Sequence, residues 1–274
     1  MATAISTPTT AGALADLLPA RRGAAWEVGP VPQCIRAGAV SARLSQGDRA
    51  LDVVEHDGRV EVYADRPDAF HGVPDAVVTE TGPDAAAALA ALVLRIVLPR
   101  LEREAAAVTK AAHGDDQVVI DAAQSMNEVG FALIDHGAHP TVVPRPGGAG
   151  LLWTLTSGAE WGLWALPSNG NLALSYEGPQ EGLYAVLPLL LPAPAGYERT
   201  DLGTVFTRHL TDRHPQLRPL NDHEVEFGRR DEPGGWITVP QREPADYADD
   251  SRRVFADFSF LGADLLLAAV PYLV

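Results

Sequence analysis

The chain has few of the residues on which several common chemistries depend. Its 274 residues include one lysine, Lys110, and one cysteine, Cys34, and the net charge is −15. P-loops, kinase-type sites and Schiff-base enzymes each need a lysine in a fixed context, and no such motif surrounds Lys110. One cysteine excludes an internal disulfide and a cysteine-rich metal site. The acidic balance argues against nucleic-acid binding, because phosphate recognition needs clustered basic residues.

Long apolar runs and targeting signals are also missing. The longest uncharged stretches are interrupted by proline, glycine or asparagine, as in 182–197, whereas a bilayer span needs about 20 consecutive apolar residues. Residues 1–10 lack the basic and apolar segments of a signal peptide. We therefore expect a cytoplasmic protein with no membrane partner.

Common catalytic and nucleotide-binding motifs are absent as well. There is no Gly-x-Ser-x-Gly elbow and no turn-glycine pattern of a dinucleotide fold. The glycine-rich segment 145–150 leads into a predicted strand, whereas phosphate loops deliver their anion to a helix N-terminus. The sequence therefore indicates no cofactor and no metal.

The patterns that are present indicate an α+β fold with antiparallel meanders. Asp57-Gly58 stands between the alternating segments 49–56 and 59–64, which is a strong hairpin signal. Two further hairpins are predicted, 151–156 with 161–166 and 223–228 with 235–240.

Helix-like segments with similar ends indicate an internal repeat. Segments 84–101, 180–191 and 260–273 each finish with an apolar pair, a proline and a leucine two residues later. Proline lacks a backbone donor and disfavours helix at the preceding residue, so a kink or an end is expected there. The prolines are Pro99, Pro188 and Pro271, and the candidate helices that open the units are 11–18, 116–136 and 201–214.

We therefore predict two or three repeated α-β-β-(β)-α units, with meander sheets packed against helices. Their predicted bounds are 1–113, 114–196 and 197–274. This order of elements is similar to that of the type III secretion chaperones. The resemblance covers architecture only, so it implies a fold and assigns no functional residue.

A cluster of aromatic residues marks the second predicted unit. Side chains alternate along a strand, so Trp161 and Trp164 are expected on opposite faces of the sheet. Both faces are apolar, and the face that does not meet helices needs cover from another unit, a second chain or a partner. The candidate partner-binding residues are Trp153, Trp161, Trp164 and Tyr176, and burial between units is the alternative explanation.

Histidines of the third predicted unit are the candidates for catalysis. His209 and His214 are five residues apart, roughly 140° around a helix, which is not the i, i+4 spacing of a zinc helix. A dispersed enzyme site between the second and third units would use His209, His214, Asp222 and His223, with Arg208 or Arg213 as an anion anchor.

The sequence as a whole predicts a non-enzymatic cytosolic protein that binds a protein or peptide. Chaperone, adaptor and immunity-type roles all agree with this hypothesis. The expected partner is apolar or basic, because the second unit combines the aromatic cluster with the fewest basic residues. An enzyme with the dispersed site and a structural subunit of a larger assembly are the alternatives, and a homo-oligomer is compatible with each.

Overall fold

The chain divides into two compact units, Met1–Leu101 and Glu102–Val274. The structure is a computed structural model, and the described residues of each unit form one antiparallel sheet with helices. The predicted α+β class is therefore confirmed. Cys34 and the predicted boundary at 196/197 lie outside the described residues, which are 9–32, 36–66, 73–79, 83–145, 148–166, 169–192, 204–228, 232–240 and 249–274.

The first unit contains a five-stranded meander in the order β1-β2-β3-β4-β5. Its strands are β1 Glu27–Gly29, β2 Val40–Gln46, β3 Arg49–His56, β4 Arg59–Ala64 and β5 Ala76–Val78. Asp57 and Gly58 both have positive φ, 49° and 73°, as a tight hairpin turn requires. The turn sets the register in which His56 pairs with Arg59, so the hairpin predicted from Asp-Gly is confirmed.

Two helices of the first unit, α1 (Thr10–Leu17) and α2 (Pro83–Leu92), bury Leu14 and Leu89. After α2 the chain continues through a π-helical segment, Val93–Val97, into α3 (Leu98–His113). Pro99 therefore does not end the helix. A π turn widens the backbone where proline supplies no donor, which allows the helix to continue. The boundary between the units falls within α3.

The second unit contains an eight-stranded sheet in the order β10-β11-β12-β13-β9-β8-β7-β6. Two four-stranded meanders join through antiparallel pairing of their last strands, β9 and β13. Strands of the second and third predicted units thus belong to one sheet. The strands are β6 Thr141–Arg145, β7 Gly148–Thr154, β8 Glu160–Ala165, β9 Leu172–Pro179, β10 Arg218–Asn221, β11 Glu224–Phe227, β12 Gly234–Thr238 and β13 Arg253–Leu261.

Burial alternates along these strands and gives the sheet two unlike faces. In β13, Val254, Ala256 and Phe258 are buried, whereas Phe255 and Asp257 are half-buried. We call the face of Val254 the covered face and the face of Asp257 the open face. The same alternation continues into β11, where buried Val225 pairs with buried Ile237 of β12.

The helices of the second unit are α4 Asp115–Asp135, α5 Leu187–Leu190, α6 Val205–Arg213 and α7 Ala263–Ala269. Contacts place helical segments on the covered face. Trp153 Nε1 donates a hydrogen bond to the carbonyl of Leu273, 2.8 Å away, just after the 3₁₀ turn that follows α7. Gly130 of α4 lies so near Leu151 that an added Cβ would come within 2.7 Å of its Cδ1.

The three prolines used to infer a repeat occupy different helical positions. Pro99 follows a π segment inside a long helix, Pro188 lies in the first turn of α5, and Pro271 lies in the 3₁₀ turn after α7. Proline tolerates the first turn because that backbone donor is unpaired in any helix. The repeat therefore stays a prediction.

Candidate binding face

One row of directly paired residues crosses all eight strands on the open face. Apart from Gly162, every residue in the row is half-buried or exposed. A sheet face with apolar and charged side chains that are partly accessible to solvent is typical of an interaction surface. The row consists of Thr141, Leu152, Gly162, Ser175, Asp257, Trp236, Glu226 and Arg218.

Two tryptophans stand on this face from different meanders. Trp164 of β8 leans over Gly162, where an added Cβ would lie 3.2 Å from its Cζ3 atom. Trp236 of β12 pairs directly with Asp257, and Phe255 lies two residues before Asp257 on β13. All three aromatic side chains are half-buried. Large, rigid aromatic rings at a partly exposed site are the usual anchors of a protein interface.

Carboxylates outnumber arginines among the charged residues on the open face. Glu226 pairs with Arg218 at 3.1 Å, and Glu177 pairs with Arg253 at 2.6 Å. The register places further acidic residues on the same face. The acidic set is Glu160, Glu177, Glu224, Glu226 and Asp257, and the basic set is Arg145, Arg218 and Arg253.

Asp257 differs from the two paired carboxylates. Among the described residues, none lies within hydrogen-bond or ion-pair distance of its carboxylate. Burial raises the pKa of Asp257, and the charge of Arg145 partly opposes that increase. A half-buried carboxylate with no hydrogen bond among the described residues has lost hydration that the charge of Arg145 offsets only in part.

A shallow depression of about 580 Å³ extends the open face over β10 to β13. Trp236, Phe260 and Leu220 line it. Phe260 has φ of 60°, an unusual conformation for a bulky residue, where the β9–β13 register is irregular. Gly228, which also lines the depression, has positive φ, and an added Cβ would lie 2.5 Å from Gly234 Cα. Position 228 therefore requires glycine.

Of the four aromatic residues predicted to bind a partner, only Trp164 reaches the surface. Trp161 is fully buried, and Trp153 and Tyr176 are each 2% exposed. Trp161 and Trp164 do lie on opposite faces, as the alternation predicts. The three buried rings pack against one another in the core: Trp153 and Trp161 are stacked with centroids 6.5 Å apart, and Trp161 and Tyr176 are tilted with centroids 4.5 Å apart.

Tyr176 is further fixed by its hydroxyl. The hydroxyl donates a hydrogen bond to the carbonyl of Pro179 at 2.6 Å, and burial raises the pKa of Tyr176 to about 12. It therefore stays protonated at neutral pH and acts as a structural donor.

Sequence reasoning missed Trp236, Phe255 and Asp257. The alternation of Val254, Ala256 and Phe258 with polar or aromatic neighbours was the available signal, because it predicts a strand with one buried face. No local sequence pattern predicts that this strand pairs with β9.

His209 is the centre of a polar cluster that the sequence pattern only partly indicated. Its Nε2 atom lies 2.8 Å from Asp250 Oδ1 and 3.2 Å from the hydroxyl of Tyr184. Tyr184 donates to the same Asp250 oxygen at 2.5 Å, and the Arg213 guanidinium stacks 3.8 Å from the Tyr184 ring centroid. The hydrogen bonds from Tyr184 and His209 lower the pKa of Asp250.

The cluster satisfies its own polar groups and links three segments. Gln180 donates to the Tyr184 hydroxyl at 2.6 Å, and the backbone N–H of Glu181 donates to the carbonyl of Asp250 at 2.9 Å. These bonds tie α6 to the 3₁₀ turn Gln180–Leu183 and to the chain that leads into β13. We therefore interpret the cluster as a structural link.

The four predicted catalytic residues do not converge. Thr204, the N-cap of α6, donates to the carbonyl of Asp222, whereas His214 is the C-cap of the same helix. Ten residues of helix separate the two ends by about 15 Å. His223 follows Asp222 in the β10–β11 turn, so Asp222 and His223 lie at the end of α6 opposite His214.

Metal ligation finds no support in the part of the chain that the structure describes. There, no group of three or more His, Cys, Asp or Glu side chains is arranged to hold a metal ion. Over the same residues, no helix has the length and apolar character needed to cross a bilayer.

Comparison with known proteins gave no match: no family model, no curated protein and no solved structure is significantly similar to the chain.

Proposed function

We propose that the protein is a non-enzymatic cytosolic protein that binds a basic protein or peptide segment on the open face of its eight-stranded sheet. Chaperone, adaptor and immunity-type roles all fit this activity. The observation that carries the proposal is the presence of Trp164, Trp236 and Phe255, all half-buried, on one face with an excess of carboxylates.

The edges of this sheet are less suited to a partner than its face. The edge strands β6 and β10 contain Pro144 and Pro219. Proline removes a ladder donor, and natural proteins use it to block pairing at sheet edges. This favours binding through side chains on the open face over addition of a partner strand.

Charge favours a basic partner over a second copy of the chain. The open face has five carboxylates and three arginines by register, and the whole chain has a net charge of −15. Two such faces would repel each other, whereas complementary charge accelerates and orients association. A basic segment with apolar side chains would meet both the carboxylates and the aromatic rings.

The test uses a fluorescein-labelled peptide of alternating arginine and leucine, followed by fluorescence anisotropy. We expect the wild-type protein to bind it, with affinity decreasing as salt is added. Trp164→Ala and Trp236→Ala should each weaken binding about tenfold, because they remove aromatic anchors.

Phe131→Ala is the matched control, since Phe131 is 68% exposed on α4 and lies outside the open face. It should leave affinity unchanged. Equal loss with Phe131→Ala, or tight binding of an alternating glutamate–leucine peptide, would contradict the proposal.

We also propose that the chain repeats one unit, in the architecture of the type III secretion chaperones. Three stretches support this, because each has a helix, a meander and a second helix in that order. They are α1 to α2 with β1–β5, α4 to α5 with β6–β9, and α6 to α7 with β10–β13. Superposition of 115–190 on 205–269 should align the meanders strand by strand, and an alignment that needs a different strand order would contradict the repeat.

A further inference from the structure

We propose that Asp257 and Trp236 form a subsite for an arginine side chain of the bound partner. This inference rests on the proposed function and specifies which chemical group of the partner the open face recognises.

The register brings the two side chains together. Asp257 and Trp236 are directly opposite on β13 and β12, and Ser175 is opposite Asp257 on β9. Directly opposed residues of an antiparallel pair have Cβ atoms about 5 Å apart on the same face. A planar cation that contacts the carboxylate of Asp257 therefore lies within reach of the Trp236 indole.

Small neighbours leave the carboxylate accessible from one side. Ser175 and Gly162 follow Asp257 in the cross-strand row before the larger Leu152, and Trp164 leans over Gly162. Strands are spaced about 4.8 Å apart, so the two tryptophan-bearing strands β12 and β8 are separated by about 14 Å. This spacing admits a long side chain or a peptide segment between the rings.

Asp257 accepts no hydrogen bond from a described residue, and Arg145 acts on it only through its charge, so its carboxylate is available to a cation from outside. Glu226 and Glu177 on the same face already pair with Arg218 and Arg253. Asp257 is half-buried and has no hydrogen-bond or ion-pair partner among the described residues. A partly desolvated carboxylate gains most from a partner that supplies both charge and hydrogen bonds.

One arginine of the open face already stacks on an indole ring. The Arg145 guanidinium carbon lies 4.1 Å from the centroid of the Trp164 ring. Guanidinium stacks on indole and donates two parallel hydrogen bonds to a carboxylate, whereas an ammonium is a strongly hydrated point charge. The geometry of Asp257 beside Trp236 therefore selects arginine over lysine.

When no partner is bound, Asp257 should also destabilise the folded protein. Because its folded pKa is raised, the stabilising contribution belongs to the protonated form and is lost as pH rises through that pKa. At neutral pH the ionised side chain disfavours the fold. Asp257→Asn is therefore expected to raise the urea midpoint while weakening binding of arginine, a combination that a purely structural residue would not give.

The experiment compares an arginine–leucine peptide with a lysine–leucine peptide on the full chain, by fluorescence anisotropy at neutral pH. Wild type should bind the arginine peptide about tenfold more tightly. Asp257→Asn and Trp236→Leu should each bring that ratio near one. Glu160→Gln, with the same charge change on the same face but on β8, should weaken both peptides equally and preserve the ratio.

The outcomes separate this inference from the proposed function. If both peptides bind the open face but Asp257→Asn keeps the wild-type ratio, or lowers the urea midpoint, the arginine subsite is refuted and the binding face stands. If neither basic peptide binds wild type, both proposals are refuted. A reduced ratio together with a higher urea midpoint supports the subsite.

Discussion

Two tryptophans three residues apart in β8 have different roles because of the two-residue period of a strand. Trp161 is fully buried between Trp153 and Tyr176, whereas Trp164 shares the open face with Arg145. The same residue type therefore stabilises the core in one position and forms part of the open face in the other.

This difference predicts unlike effects of the same substitution. Trp161→Ala should lower the free energy of unfolding by about 3–5 kcal/mol, because it opens a large cavity in the core. Trp164→Ala should lower it by about 1 kcal/mol or less, since its ring is partly solvated and loses mainly the contact with Arg145. Urea unfolding monitored by far-ultraviolet circular dichroism checks both. Comparable losses would contradict the assignment of the two faces.

At the scale of elements, the helices and hairpins that depend on neighbouring residues could be predicted from the sequence. Asp57-Gly58 predicts the β3–β4 hairpin because few sequences adopt two consecutive positive φ angles. The helix predicted at 116–136 corresponds to α4. Such elements depend on propensities and periods that the sequence displays directly.

Long-range pairing could not be predicted from the sequence. The segment predicted to begin a helix at Phe260 is instead the end of β13, the strand that joins the two meanders. The contact of His209 with Asp250 joins residues 41 apart, and neither residue carries a signal of the other. The open face exists only because the two meanders pair through β9 and β13, and no local pattern predicts that pairing. Trp164 is therefore the one residue of the proposed binding surface that was also among the predicted site residues.

Helix α6 gives the fold a dependence on pH through His214, its C-cap. Burial, and secondarily Arg213, lower the pKa of His214. As pH falls below about 6.5, the unfolded chain takes up a proton that the folded protein resists, so stability should decrease. His214→Gln should flatten the change in urea midpoint between pH 7 and 5.

His139→Gln is the control for this prediction, because His139 is exposed after α4. It should keep the wild-type pH dependence. An unchanged slope in His214→Gln would show that another group is responsible. Asp250, whose pKa is lowered, contributes stability that is lost only as pH falls through its lowered value, below the window of His214.

At the scale of the whole molecule, the open face belongs to the sheet of the second unit. Two meanders joined at β9 and β13 create a surface that neither would have alone, because Trp164 comes from one and Trp236 and Asp257 come from the other. Under the proposed function, the acidic charge of the chain favours a basic segment on this surface.

The most direct test of the binding face is the movement of tryptophan indole N–H signals in ¹H–¹⁵N spectra as the arginine–leucine peptide is added. The protein has five tryptophans, and substitution of each assigns its signal. We predict that the signals of Trp164 and Trp236 shift progressively, while those of Trp153 and Trp161, buried on the covered face, stay in place. Shifts confined to the buried tryptophans, or no shift at either open-face tryptophan while the peptide binds, would contradict the account.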